Sequence, residues 1–142
     1  MNRLPQFFAK SAGATIMIHT FSARNFTSFY EPLELDFRIG KAVPEDYLTF
    51  KSSSGSRLSS AMVTIGHNAS GKSNVLKSIV TLCNIAAYSF HALPDEPLVY
   101  EPHSFHQDEP TSFQIDFETP SGSIYRYNLT YDSSTIYYES LK

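Results

Sequence analysis

The 142-residue sequence contains one cysteine, Cys83, and no tryptophan. A single thiol excludes an intramolecular disulfide and any cysteine-built zinc centre, and it points to a reducing compartment, here the cytoplasm. No apolar run approaches the roughly 20 residues needed to span a bilayer, so no membrane association is expected. Basic residues are scarce as well: eleven Lys and Arg stand against fourteen Asp and Glu, a formal charge of −3. Such a balance makes no general electrostatic claim on DNA or anionic lipid. Near the start, Lys10 interrupts what would have to be the apolar region of a signal peptide. Residues 1–16 therefore read as a leader or a disordered segment, and 17–142 as the folded unit.

What is present is enough to bury a core. Hydrophobic residues make up 42% and aromatics 14% of the chain, at a length that allows one domain. Ile16 to Asn25 and Leu33 to Phe37 have strand character and predict an antiparallel pair joined through residues 25–32. Gly40 to Ser60, with Pro44 and the Ser52–Ser56 run, predicts an exposed loop. Ala61 to Ile65 is a short apolar run that predicts a buried strand. Beyond it Val75, Leu76, Ile79, Val80, Cys83, Ala86, Ala87 and Phe90 recur at helical spacing. They predict a helix over 71–90 that buries this set, Cys83 included. From Ser112 onward the period is two, which predicts a meander of strands turning at residues 119–122 and 132–134.

Gly66-His67-Asn68-Ala69-Ser70-Gly71-Lys72-Ser73 fits the Walker A pattern G-x-x-x-x-G-K-[ST] without mismatch. Two glycines let the backbone curl so that successive N–H groups face one concavity. The loop runs into a helix N-terminus, where orphan amides and the helix dipole favour anionic oxygens. Lys72 supplies a point charge to β and γ phosphates, and Ser73 offers a hydroxyl to Mg²⁺. An apolar run before the loop and an amphipathic helix after it are the context that the motif requires. Gly66, Asn68, Ala69, Ser70, Gly71, Lys72, Ser73 and Asn74 are the expected nucleotide-binding residues, with Ser73 at the metal. No residue is assigned a catalytic role, and nothing in the sequence selects ATP over GTP.

Asn68-Ala69-Ser70-Gly71-Lys72-Ser73-Asn74 resembles the N-x-S-G-K-S-N form of the ABC-type ATPases related to SMC, RecF and the OLD nucleases. Asn25-Phe26-Thr27-Ser28-Phe29, after Arg24, resembles the turn that joins the first two strands in that family. The later strands are loosely similar to the antiparallel part of the first lobe in OLD-like AAA ATPases. The resemblance implies an α/β fold: a partial P-loop NTPase core, lobe I of an ABC-type ATPase, with an antiparallel β-subdomain. It implies ATP and Mg²⁺ as ligands. It also implies completion by the remaining half of the ATPase or a second ATPase head, as a dimer, with a DNA or nuclease partner in the full assembly. In related ATPases the first strands lie beside the adenine, which implies a base-packing role for Arg24, Phe26 and Phe29.

The family's signature sequence, Walker B acids and switch histidine have no clear counterpart here. Phe113 to Glu118 is the one acidic strand that could imitate Walker B, but its alternation predicts an antiparallel strand instead of a buried parallel one. Weak or no ATPase activity is expected of this chain alone. Two other classes remain open: a small P-loop kinase, and a non-catalytic nucleotide-binding module. A kinase would want lid arginines, and Arg126 is the only Arg or Lys between Lys77 and Lys142. His91, His103 and His106 lie near Asp95, Glu96, Asp108 and Glu109, but in a proline-rich stretch that predicts a solvated loop more than a metal site. The nine tyrosines are read as packing residues.

Overall fold

The computed structural model describes residues 16–44, 48–88 and 97–142. Among these residues, seven strands and one helix follow in the order β1 (Met17–Arg24), β2 (Leu33–Asp36), β3 (Thr49–Lys51), β4 (Arg57–Ser59), α1 (Lys72–Tyr88), β5 (Thr111–Glu118), β6 (Ile124–Tyr131) and β7 (Ile136–Leu141). Five strands form one sheet in the order β2-β1-β5-β6-β7, and β3 pairs with β4 apart from it. Every pairing is antiparallel. The molecule is thus α/β in content, with a sheet that is antiparallel throughout among the described residues.

Alternation along the strands sorts side chains to two faces. On one face, Phe21 lies opposite Ile115, which lies opposite Tyr127, and Ala23, Phe113 and Leu129 form the next row. Leu82 and Ile85 of α1 join Phe21, Ala23, Phe26, Phe113, Ile115, Leu129 and Tyr131 in a single core. The phenyl ring of Phe113 packs at 5.4 Å from Phe26 and 6.1 Å from Phe21, centroid to centroid. Tyr131 is buried with its hydroxyl donated to Val99 O at 2.9 Å, which ties the segment after the helix to the sheet.

The other face is polar. Asp36, Thr20, Asp116 and Arg126 form a row across four strands. Arg126 clasps Asp116 with two 2.7 Å hydrogen bonds, a bidentate geometry that holds the Asp116 carboxyl below its ordinary value. At the end of this face the β3–β4 hairpin folds over Glu118, which is 1% exposed. Its carboxylate accepts from Ser54 N at 2.6 Å, Ser54 Oγ at 2.7 Å and His19 Nε2 at 2.8 Å. Burial pushes the Glu118 carboxyl up, but the hydrogen bonds from Ser52, Ser54 and His19 outweigh it and hold the group at about 2.

The expected strands 16–25, 33–37 and those after Ser112 are present with the expected pairing, and the helix occupies most of its expected span. Phe113 to Glu118 is an antiparallel strand between β1 and β6, as its alternation predicts. Three expectations are corrected. Gly40 to Ser60 is not all exposed loop: it contains β3 and β4, and Leu58 is buried. Ala61 to Ile65 is not a buried strand: it is exposed, and no strand is assigned there. A strand needs a neighbour to take its N–H and C=O groups, and none of the described strands flanks this run. Finally, the buried stripe of α1 is Val75, Ser78, Thr81, Leu82 and Ile85, while Leu76, Val80, Cys83, Ala86 and Ala87 are exposed. The apolar arc is wider than one sheet can cover. Ser78 joins the buried side because its hydroxyl donates to Val75 O at 2.7 Å. Residues 1–15, 45–47 and 89–96, which include His91, Asp95, Glu96 and Phe90, lie outside the described residues.

Candidate functional site

The candidate site is the loop between the apolar run 61–65 and the start of α1. Its curl is written in backbone geometry. Gly71 has φ +87°, a value that a side chain resists, and Ala69 has φ +62°. A methyl group added at Gly66 would collide with Ser70 Oγ. Ser70 N donates to His67 O at 3.2 Å. Lys72 folds back over the loop: its Nζ donates to Gly66 O at 2.9 Å and to His67 O at 2.5 Å. The ammonium therefore closes residues 66–72 into a ring and stands at the same end as the helix amides.

The helix supplies the rest of the electrostatics. α1 begins at Lys72, so the N–H groups of Lys72 and Ser73 at its start have no carbonyl one helical turn back to donate to. The first turn carries no acidic side chain to compete for them. Asn74 N and Val75 N both reach Gly71 O, at 2.9 and 3.3 Å, which seats the helix on the loop's glycine. Ser73 is exposed at the second helical position. The eight expected binding residues thus form one continuous loop-to-helix corner, open to solvent from Gly66 to Ser70. Chemically, the corner offers one cation and a fan of donors to an anion.

Two further groups of residues are less legible in the sequence, and one of them packs on the loop. The turn 25–30 packs directly on the loop: Asn74 Nδ2 donates to Ser28 Oγ at 3.0 Å, and the Phe29 ring lies 3.3 Å from where a Cβ on Gly71 would stand. The Asn-Phe-x-Ser-Phe pattern was the available signal for this turn, but nothing in it singles out Ser28. The second group is a ring cluster. Tyr30 stacks on His106 at 3.4 Å and 10°, and the Arg24 guanidinium lies 5.1 Å over the Tyr30 ring. Glu109 accepts from Arg24 at 3.2 Å, from Tyr30 and from His106 at 2.8 Å, and the His106 bond foremost holds its carboxyl below the ordinary value. Tyr30 and Glu109 stand 79 positions apart in the chain, and no local pattern announces their meeting.

The expected base-packing pair is corrected in part. Phe26 is fully buried in the core against Phe113, so it cannot face a nucleotide, whereas Phe29 is half-buried at the loop. His103 and His106 serve the ring cluster, and among the described residues no three His, Cys, Asp or Glu side chains are grouped as metal ligands. Cys83 lies on the exposed side of α1.

A glycine-hinged corner capped by a lysine and followed by a helix is what a P-loop nucleotide-binding protein would present. Residues 62–142, more than half of the chain, match the family described as "AAA domain, putative AbiEii toxin, Type IV TA system". The chain belongs to this AAA-type family of P-loop ATPase relatives. The match takes in Met62 to Ile65 of the apolar run, the loop, α1 and β5 to β7, and leaves β1 to β4 outside it. No curated protein and no solved structure matches the chain. No helix among the described residues is long and apolar enough to cross a membrane.

Proposed function

We propose that the corner formed by residues 66–74 binds the phosphate chain of MgATP. The observation that carries this reading is Lys72 closing over a left-handed Gly71 at the head of α1. In the loaded site the Lys72 ammonium leaves the Gly66 and His67 carbonyls for β and γ oxygens. Those oxygens satisfy it better because they carry charge. Backbone amides not already taken up within the corner, those of Gly71, Lys72 and Ser73 among them, donate to the phosphates, and the helix dipole adds to the attraction. Ser73 is the side chain available to Mg²⁺. A single hydroxyl suits an ion that takes the rest of its shell from phosphate and water. When bound, that ion neutralises charge on the β and γ oxygens.

The finer assignment is to an ATPase lobe of the SMC, RecF and OLD-like kind, spanning residues 17–142. The Asn68–Asn74 sequence and the β1–turn–β2 unit ahead of it support this assignment. Catalysis then requires a second lobe, either the remaining half of the ATPase or a second head. Two exposed apolar surfaces support that need: Met62, Val63 and Ile65 before the loop, and Leu76 and Val80 on the far side of α1. A DNA-linked role for the complete assembly, with a nuclease partner, rests on the same resemblance. The family description adds a toxin of a toxin–antitoxin system as a biological setting.

The test is calorimetric titration of the full chain with MgATP. Wild type binds, and Lys72→Ala weakens binding by about 100-fold or more through loss of a charge-assisted phosphate contact. The purified chain shows no steady release of phosphate. Equal binding by wild type and Lys72→Ala would refute the reading.

A further inference from the structure

We propose that Ser28 is a positioning residue for the phosphate loop: it acts through Gly71 and Asn74 to fix where the loop's amides point. The proposal rests on the nucleotide reading of that loop.

Ser28 is delivered by a turn that is over-determined. Phe26 is buried against Phe113, which anchors the turn in the core. On either side of it, Asn25 (φ 52°) and Thr27 (φ 49°) take left-handed backbone conformations. Asparagine tolerates this region, but for a β-branched threonine it is strained. The surroundings hold the strain in place. Phe26 N donates to Phe29 O and Phe29 N to Phe26 O, both at 2.8 Å, and Thr27 N donates to Glu101 O at 2.8 Å. The Asn25 side chain donates to Glu109 O at 2.6 Å and accepts from His103 N at 3.1 Å. Thr111 Oγ1 donates to Asn25 O at 2.7 Å. Backbone strain kept by so many contacts is a sign that the geometry itself is used.

What the turn presents is aimed at the hinge of the loop. Ser28 Oγ lies so close to Gly71 that an added methyl group would collide with it, and the same oxygen accepts from Asn74 Nδ2 at 3.0 Å. Gly71 is where the loop reverses, and Asn74 N makes the first helical bond back to Gly71 O. Residues 61–70 are solvent-exposed, so this contact joins the loop to the packed body. With the hydroxyl present, the amides around Gly71 keep one orientation before any ligand arrives. Without it, Asn74 loses its acceptor and the hinge regains freedom that binding must then remove.

The effect should fall on the phosphate cradle and not on a base. The full chain is titrated with MgATP and, separately, with magnesium tripolyphosphate, for wild type, Ser28→Ala, Ser28→Thr, Asn74→Ala, the Ser28→Ala/Asn74→Ala pair and Lys72→Ala. Ser28→Ala should weaken both ligands by the same factor, about tenfold, with the melting temperature held. Ser28→Thr, which keeps the hydroxyl, should recover binding to within about threefold of wild type. The double variant should bind no worse than Asn74→Ala alone, since both changes break one coupled contact. Additive losses, or a loss for MgATP without one for tripolyphosphate, would overturn the proposal. So would Ser28→Ala binding within about twofold of wild type while Lys72→Ala is defective. Lys72→Ala binding like wild type would instead remove the nucleotide reading itself. If Ser28→Ala melts early, Asn74→Ala decides: it should show the equal loss on both ligands, and undiminished binding sinks the idea.

Discussion

Helix α1 separates two regions that share a composition but not a fate. On its inner side, Phe21, Phe113, Leu129 and Tyr131 disappear into a core between helix and sheet. On its outer side, Leu76 and Val80 face water, and the apolar run before the loop does the same, with Val63 78% and Ile65 90% exposed. The strands β1, β5 and β6 have antiparallel neighbours in this chain, so their hydrogen bonds and their apolar faces are satisfied together. The run 61–65 has strand-like residues and no neighbour among the described strands. The glycine-rich corner between the two regions still curls, because its glycines, its lysine and the first turn of the helix contact one another and the 25–30 turn braces it at Gly71 and Asn74. A local motif can therefore stand at the border of a half-covered surface.

That contrast can be broken or sharpened by substitution, and the core should respond most. Phe113→Ala removes the ring that touches Phe21, Phe26 and Tyr131, and should cost about 3–5 kcal/mol in urea unfolding. A loss below about 1 kcal/mol would mean that this core is not what holds the sheet and helix together. Glu118→Gln comes next, at about 2 kcal/mol, because a side-chain amide would place its own N–H₂ group where Ser54 N, Ser54 Oγ and His19 already supply donors.

The same carboxylate sets a pH dependence. Its value in the folded protein, about 2, lies below the ordinary 4.5, so its stabilising contribution is complete above about pH 4.5. The contribution fades as the pH falls from there towards 2. Melting temperatures of wild type and Glu118→Gln, recorded from about pH 7 to about pH 2.5, should converge at the acid end. Parallel curves would remove the assignment. Least affected should be the outer surface: Ile65→Ser and Val80→Ser each stay within about 0.5 kcal/mol of wild type. If a second ATPase lobe docks on this surface, as proposed above, both substitutions should instead weaken that association. A large loss of stability in the isolated chain would show that the outer surface is already packed.

The loop at 66–73 was legible because its chemistry is local: glycine spacing, one lysine and a helix start lie within eight consecutive residues. The strands after Ser112 were legible for a similar reason, since period-two alternation in Phe113, Ile115 and Phe117 is a property of neighbours along the chain. The helix was legible in extent but not in orientation. Its apolar residues cover more than half of the wheel, and only the position of the sheet chooses Leu82 and Ile85 over Val80 and Cys83. Leu58 and the β3–β4 hairpin escaped notice inside a serine-rich stretch because the partner that the hairpin covers, the polar end of the sheet at Glu118, is remote in sequence.

By itself, the sequence determined the curled loop at 66–73, the helix that follows it and the alternation of the meander, since each is set mainly by interactions among residues a few positions apart. Tertiary structure alone decided which side of α1 is inside, that Ala61 to Ile65 stays unpaired among the described strands, and that Ser28 meets Gly71. Those outcomes depend on which surfaces the chain brings into contact across tens of residues, and burial and strand pairing are properties of two surfaces, not of one.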